Sequence, residues 1–453
     1  GNYESRPPWH SALVVERSRL LRISGLALPM IAAALSTNLM TFVDTLMVGQ
    51  LGDAALGGVG IGGQLFFMLL AFALGLTAGV QAMVARRVVE ERLDLTGKVL
   101  NAVILLALVA GCFLIALGYL LSPLIFGVIN DDPLVIDEGL AYLSTRLPSL
   151  LLMGLTLTFR SYWVGVSLAK WSMVSIITLA LANVLFNYML IFGNFGAPRM
   201  EVAGAGLGST LAVLVGLLVN VGFALKLAQS NGFLKGLPET KHIRTIVKVA
   251  YPESLRQIFF SAGVVLLYVL VGQIGSRELA AFHVVISICL IAYMPHIGIG
   301  GAATTLVGEA LGRKDAQDAK AWGWQVSNVG LIVLTGLGLV VALFPQALLS
   351  PFFVDGSTLT IAITPLQLAV FAHVLDGYGK ILGGALIGAG ATKAAMQLTL
   401  LPQYLVLLPL LAISVFLGYG LSEAMAVFLG STAISALLFA CVWHRERWSS
   451  IEL

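Results

Sequence analysis

The chain has 453 residues, of which 58% are hydrophobic and only 11% are charged, and its formal net charge is +3. Soluble globular domains carry about 25% charged residues, so this chain has too few polar side chains to cover a water-exposed surface of its size. Together with a mean hydropathy of +0.95, this composition excludes a soluble globular protein and predicts an integral membrane protein.

Long runs without a charged residue recur along the chain, for example over residues 101–129, 202–225 and 322–354. A helix needs roughly 20 apolar residues to cross the hydrocarbon core. Helices are favoured over barrel strands because these runs are continuous rather than alternating. We therefore predict an all-α polytopic protein with twelve transmembrane helices. They cover residues 23–48, 56–85, 99–121, 138–165, 171–193, 203–225, 246–273, 279–308, 322–344, 359–388, 395–417 and 421–443.

Lysines and arginines lie mainly in loops on one side of the predicted spans, as at Arg86, Arg87 and Lys98. The loops on the opposite side contain only two basic residues, Arg199 and Arg277. The positive-inside rule makes the basic side cytoplasmic and places both termini there. We expect these basic loops to set the orientation and not to bind nucleic acid.

An internal repeat divides the chain into two related halves. A displacement of 223 residues superposes identical residues along five predicted spans without a gap. Two parallel halves of six spans each are typical of transporters whose lobes are related by a pseudo-two-fold axis along the membrane normal. The matched pairs include Pro29 with Pro252, Gly75 with Gly298, Gly154 with Gly377, Gly165 with Gly388 and Lys170 with Lys393.

The predicted domain organisation follows from the repeat. It consists of a cytoplasmic tail over residues 1–22, an N-lobe over 23–227, a cytoplasmic linker over 228–245, a C-lobe over 246–443 and a second cytoplasmic tail over 444–453.

Several polar residues lie at characteristic positions inside the spans. The first span contains Pro29 and, fifteen residues later, Asp44 in the sequence FVDTLMVG. The fifth contains Asn183 and Asn187, and the sixth begins with GAGLGST, which ends at Thr210. With the two six-span halves, these features resemble the multidrug and toxic compound extrusion (MATE) family, and within it the DinF-like branch.

This resemblance implies the MATE fold and a secondary active multidrug efflux transporter rather than an enzyme. It implies export of bulky, mostly cationic, drug-like organic compounds against an inward ion gradient, with alternating access between the two lobes. A lone carboxylate among amides favours antiport with H⁺, and Na⁺ is the alternative, because a hard cation prefers several oxygen ligands. No cofactor is expected. The protein is expected to act as a monomer in the lipid bilayer of the cell (inner) membrane.

Asp44 is the candidate coupling residue of the N-lobe. A charge inside a spanning helix costs about 2.5–3.5 kcal/mol on insertion scales, and desolvation favours the neutral carboxyl group, so Asp44 is suited to exchange protons. The resemblance implies a network of Asp44 with Asn183, Asn187 and Thr210, although the family often has an aspartate at position 187. The alternatives are an aspartate that meets interfacial water and asparagines that join helices.

Pro29 removes a backbone donor from the first span and favours a kink. The resemblance implies that protonation of Asp44 bends this span near Pro29. Pro252 occupies the repeat-equivalent position, so a purely architectural role is an equal alternative.

The C-lobe has a second group of polar residues. His373, Asp376 and Lys380 share one face of the tenth span, and Asp376 matches an aspartate of the Na⁺-coupled NorM-like branch. This group, with Glu253, is a candidate ion or substrate site. The alternatives are a permanent Asp376–Lys380 pair and a neutralised pair of Glu253 with Arg256.

Other functions receive less support. A lipid-linked precursor flippase of the same superfamily would need extra spans and several cationic cavity residues. A membrane transferase would need a polar catalytic cluster, and the sequence shows neither a set of catalytic residues nor a metal-ligand motif. The three cysteines, Cys112, Cys289 and Cys441, are too far apart in the sequence to form such a motif. No P-loop is present. Arg146 and Arg160 on the fourth span are predicted to be structural or to reach towards the membrane surface.

Overall fold

A computed structural model of the chain describes residues 16–51, 53–129, 133–236, 240–351 and 356–450. Within these ranges the regular structure is helical, without a β-strand, as predicted. The helices are α1 (Arg17–Gly49), α2 (Asp53–Val89), α3 (Leu93–Ile129), α4 (Pro133–Arg146), α5 (Ser149–Gly165), α6 (Ala169–Phe192), α7 (Glu201–Leu227), α8 (Thr240–Gly272), α9 (Ser276–Tyr293), α10 (Pro295–Gly312), α11 (Ala316–Leu343), α12 (Pro345–Leu349), α13 (Gly356–Gly388), α14 (Thr392–Pro402), α15 (Leu408–Phe416) and α16 (Leu421–His444).

Within the described ranges, ten helical segments are long and apolar enough to cross a membrane. The pair α4 and α5, bent by 48°, makes an eleventh when it is counted as one span. The 33 residues of α1 cover the first predicted span. Large side chains such as Leu120, Ile332 and Phe416 remain 69%, 73% and 90% exposed, which suits a surface in contact with lipid.

Two compact units make up the fold. Residues 32–254 form the N-terminal unit, and residues up to 31 combine with those from 255 onward in the C-terminal unit. The two boundaries fall inside α1 and α8, two residues after Pro29 and Pro252, which the repeat pairs. The domain boundaries inferred from the sequence stay a prediction. Of the predicted linker, residues 237–239 lie outside the described residues, as do residues 1–15 of the first tail.

Each unit contains a close helix crossing at a repeat-equivalent glycine. In the N-terminal unit, a Cβ on Gly75 of α2 would lie 2.8 Å from the carbonyl oxygen of Ala250. In the C-terminal unit, a Cβ on Gly298 of α10 would lie 2.6 Å from the carbonyl oxygen of Ala27. Small residues allow helix backbones to approach closely within a membrane. The repeat therefore preserves the same helix crossing in both units. In the N-terminal unit α2 packs against α8, and in the C-terminal unit α10 packs against α1.

The start of α1 is fixed in the C-terminal unit by charged side chains. Arg19 pairs with Asp318 of α11, and its guanidinium lies 4.3 Å from the ring centroid of Trp322. Arg22 pairs with Glu309 of α10, whose side chain is only 3% exposed. Breaking such a pair leaves a buried charge without its partner, which is strongly destabilising. Helix α1 is thus anchored at its beginning in one unit, while its second half belongs to the other.

Candidate ion-coupling site

Asp44 lies in the second half of α1 and is bonded to α6. The side-chain amide of Asn187 donates a hydrogen bond of 2.6 Å from Nδ2 to Oδ1 of Asp44. The same Nδ2 lies 3.5 Å from Oδ1 of Asn183, one turn earlier on α6. Nδ2 of Asn183 donates to the hydroxyl of Ser209 on α7 at 3.1 Å. Both asparagines are fully buried, so a chain of amides connects a partly buried carboxyl group to α7.

The close packing of α6 against α7 positions Asn187. A Cβ on Gly204 would lie 2.5 Å from the carbonyl oxygen of Leu190, so the two backbones nearly touch. A Cβ on Gly208 would overlap Oδ1 of Asn187. Oδ1 of Asn187 is buried, and no group among the described residues bonds to it. The glycines of GAGLGST therefore leave the space that this amide occupies.

Gly208→Ala should impair coupling while leaving the chain folded. The added methyl group displaces the Asn187 amide from Asp44, because the two atoms cannot share that position. Removing one hydrogen bond to a charged group costs about 1.5–3 kcal/mol, so we expect ion-driven export to fall by about tenfold or more. Export by purified protein in vesicles measures the effect. Gly222→Ala on the same helix, where a Cβ meets no atom within 4 Å, is the matched control.

The structure does not bring Thr210 into hydrogen-bond contact with Asp44. Its hydroxyl lies 2.8 Å from the carbonyl oxygen of Thr145 and 3.0 Å from that of Gly206, and it donates to these backbone groups. Thr210 therefore joins α7 to α4 next to the site. The neighbouring residue, Ser209, accepts the hydrogen bond from the Asn183 amide instead. Ser209 was not among the predicted site residues.

Arg146, at the end of α4, packs against aromatic side chains of the N-terminal unit. Its guanidinium carbon lies 4.7 Å from the ring centroid of Phe66 on α2 and 5.8 Å from that of Tyr142 on α4. Arg146 and Tyr142 are one turn apart on α4, so the guanidinium packs between an aromatic ring of its own helix and one of α2. The structural role predicted for Arg146 from the sequence stays a prediction.

The C-terminal unit contains a second polar cluster. Nζ of Lys380 lies 3.2 Å from Oδ2 of Asp376, and the Tyr293 hydroxyl donates a hydrogen bond of 2.6 Å to the same oxygen. The Lys380 ammonium also lies 3.9 Å from the ring centroid of Phe260. Nδ1 of His373 is 2.8 Å from the carbonyl oxygen of Ala369, so this histidine is bonded within its own helix. Asp376 is therefore held by a cation and a phenol.

The remaining predicted site residues lie elsewhere. Glu253 belongs to the N-terminal unit, where it is 4% exposed. Pro29 lies inside α1, which continues through it. His296 stacks on Tyr293 with ring centroids 3.6 Å apart and was not among the predicted site residues. Among the described residues, no group of three or more His, Cys, Asp or Glu side chains could hold a metal ion.

Comparison with known proteins gives a consistent result. The MatE family model matches residues 29–189 and again residues 252–413, and the two matches begin at the repeat-equivalent Pro29 and Pro252. A probable multidrug resistance protein NorM of Mesorhizobium japonicum is 26% identical over 95% of each chain. One from a Synechococcus strain is 29% identical over 86% of each chain. A crystal structure of a MATE protein in the bent conformation has a TM-score of 0.87 at 18% identity, covering 99% of this chain and 98% of that one.

Proposed function

Because the chain belongs to the MatE family of multidrug efflux transporters, we propose that it exports bulky, mostly cationic organic compounds in exchange for H⁺. The observation that carries this proposal is the 2.6 Å hydrogen bond from the buried Asn187 amide to Asp44. A carboxyl group on a spanning helix, bonded to an amide rather than paired with a second carboxylate, can gain and lose one proton. The DinF-like branch stays a prediction, since the relatives described above carry the name NorM.

An amide at position 187 suits both protonation states of Asp44. When Asp44 is ionised, Nδ2 of Asn187 donates to it, as in the observed bond. When Asp44 is protonated, its O–H needs an acceptor, and a rotation of the amide presents Oδ1 instead. Within the part of the chain that the structure describes, the buried Oδ1 of Asn187 accepts no hydrogen bond, which supports this second state. A carboxylate at position 187 would instead compete with Asp44 for the proton.

Helix α1 connects this protonation to motion. Its beginning is fixed by Arg19 and Arg22 to the C-terminal unit, and Asp44 lies in its second half, within the N-terminal unit. Protonation weakens a charge-assisted bond of about 1.5–3 kcal/mol. A change of this size can invert a two-state equilibrium with a gap of a few kcal/mol. We propose that α1 then bends near Pro29 and that access alternates between the two lobes.

Antiport of Na⁺ through Asp376 is the alternative coupling. Sodium is a hard cation that, like Ca²⁺, prefers several oxygen ligands. The Lys380 ammonium lies 3.2 Å from Asp376 and the Tyr293 hydroxyl bonds the same oxygen, which disfavours a further cation there.

A lipid-linked precursor flippase is the other alternative. We further propose a monomer in the cell (inner) membrane with both termini cytoplasmic.

Transport in vesicles tests the coupling ion directly. Purified protein is reconstituted into proteoliposomes, and uptake of a fluorescent organic cation is followed with either an acidic interior or an outward Na⁺ gradient. We expect uptake with the pH gradient alone and its loss when a protonophore collapses that gradient. Uptake driven by Na⁺ alone, at equal pH on both sides, would contradict proton coupling and favour Asp376. Protein-free vesicles give the background.

A further inference from the structure

The eleventh predicted span contains a break that its repeat-equivalent span lacks. Residues Thr392–Phe416 form one segment long and apolar enough to cross a membrane, but its middle turn, Gln403–Leu407, is π-helical. Pro402 precedes this turn and Pro409 follows it, so two backbone donors are missing around a single turn. In the N-terminal unit the equivalent span, α6, is a continuous α-helix. π-helical turns inside α-helices are rare and frequently lie at functional sites.

The helix before the break, α14, is bonded to α16. Pro402 has no N–H group, which leaves the carbonyl oxygen of Leu398 without its usual helical donor. The Ser435 hydroxyl donates to this oxygen at 3.1 Å, and the Ser431 hydroxyl donates to the carbonyl oxygen of Pro402 at 3.3 Å. The two serines are one turn apart on α16 and therefore share a face. They fix α14 up to the point where the π-helical turn begins.

The π-helical turn itself is bonded to α8. Nε2 of Gln403 donates to the carbonyl oxygen of Phe260 at 3.2 Å, and the Tyr404 hydroxyl donates to that of Phe259 at 2.7 Å. A Cβ on Gly263 of α8 would overlap Nε2 of Gln403. Because a Cβ tilts towards the preceding turn of its helix, this glycine leaves the two carbonyl groups open to second donors. Gln403 and Tyr404, with these two carbonyl groups, form the α8 clamp.

The helix after the break, α15, is held mainly by apolar packing. Side chains such as Leu408 and Leu411 pack in the core of the C-terminal unit, and the last residue, Phe416, is 90% exposed. Apolar contacts have no preferred direction, whereas each hydrogen bond of α14 fixes one donor against one acceptor. The span thus consists of a fixed half, a turn with a clamp and a half that can change direction.

The N-terminal unit joins the equivalent helices through a different group. There, the amide of Asn187 on α6 bonds to the carboxyl group of Asp44 on α1, and the repeat pairs α6 with α14 and α15, and α1 with α8. Gln403 corresponds to Ala180, about two turns before Asn187. The α8 clamp consists of an amide, a phenol and two backbone carbonyl groups. Both units therefore join this pair of helices through a side-chain amide, but the clamp does so without a carboxyl group.

We propose that Gln403–Leu407 is a hinge of the transport cycle, at which α15 swings relative to α14 when the α8 clamp opens. The hinge rests on the export function proposed above and gives the C-terminal unit a movement separate from the bending of α1 near Pro29. In the closed state Gln403 and Tyr404 bond to α8, as observed. In the open state the two carbonyl groups keep their bonds within α8, so only the two bonds of the clamp are lost.

Distances between spin labels measure the hinge directly. In a variant whose three cysteines are replaced by alanine, labels at Phe416→Cys and Leu343→Cys report the end of α15 against the end of α11. Both positions are highly exposed, at 90% and 70%. Labels at Leu401→Cys and Leu343→Cys are the matched control, because Leu401 belongs to α14, on the other side of the turn. The protein is measured in lipid nanodiscs, with and without tetraphenylphosphonium as the organic cation.

We expect two distances from the label at position 416 in the unmodified background. The double variant Gln403→Leu with Tyr404→Phe removes both donors of the clamp and should change the ratio of the two populations about tenfold or more. Pro409→Ala restores a backbone donor at an exposed position and stiffens the turn, so one distance should remain. The distance from position 401 should stay the same in all variants. Leu410→Ala, at the exposed neighbouring position, should alter neither distance.

Transport separates a hinge from a structural contact. Pro409→Ala should lower export of tetraphenylphosphonium by proteoliposomes about tenfold, while its binding without a gradient stays within about twofold, because the variant restricts only the movement. Thermal unfolding of each purified variant confirms that it is folded. If the double variant does not fold, Gly263→Ala, which displaces only the Gln403 amide, replaces it.

Two results would overturn the hinge. One is a single distance from position 416 that is the same in the unmodified background and in every variant, with and without the cation. The other is normal export by a folded Pro409→Ala. A protein that shows both distances but exports no organic cation would keep the hinge and refute the proposed function instead.

Discussion

Asp44→Asn should abolish ion-driven export and leave the protein folded and inserted. Asparagine keeps the shape of aspartate and can still bond to the amide of Asn187, but it cannot exchange a proton. Without titration at this position, the ion gradient has no group through which to change the state of α1. We expect transport in proteoliposomes with a pH gradient to fall to the level of protein-free vesicles.

The controls for this variant separate coupling from folding. Asp137→Asn changes an exposed aspartate of α4 in the same unit, and it should leave transport unchanged. Binding of an organic cation, measured by fluorescence without a gradient, should persist in Asp44→Asn within about tenfold. Near-normal export by Asp44→Asn at matched incorporation would exclude Asp44 as the coupling residue and direct attention to Asp376.

The fold could be predicted from the sequence because membrane spans depend on local composition. Uncharged runs longer than about 20 residues leave few alternatives to helices. Breaks within the spans were not predicted. The span predicted at 138–165 bends by 48° between α4 and α5, and the span at 279–308 divides at Pro295. Average hydropathy does not detect such breaks, whereas Pro148 and Pro295 mark both, since proline cannot donate to the helix ladder.

The candidate site was only partly predictable. The structure brings Asp44 into contact with Asn187, and both residues belong to patterns that the sequence displays. The position of Arg146 depends on how α2 packs against α4, where a Cβ on Gly62 would lie 2.9 Å from the Tyr142 ring. Such tertiary packing has no signal in the sequence of α4 alone. The bonding of Thr210 to backbone carbonyls could not be foreseen for the same reason.

Lys380→Met should strongly destabilise the C-terminal unit. Removing one partner of a buried ion pair costs about 3–5 kcal/mol, and the 21% exposure of the Asp376 side chain reduces this to about 2–3 kcal/mol. The loss should appear as a lower Tm of the purified protein. Lys393→Met, which removes an exposed lysine at the start of α14, should change stability by no more than about 0.5 kcal/mol.

The double variant Lys380→Met with Asp376→Asn separates a structural pair from a functional one. It removes both charges, and the Tyr293 hydroxyl can still donate to the asparagine oxygen, so most of the lost stability should return. Proton-driven export should return with it, because on our proposal the coupling proton binds at Asp44. A double variant as unstable as Lys380→Met would contradict the pairing. A stable double variant without export would instead show that transport needs the charges of this pair, and it would direct attention to Asp376 as an ion site.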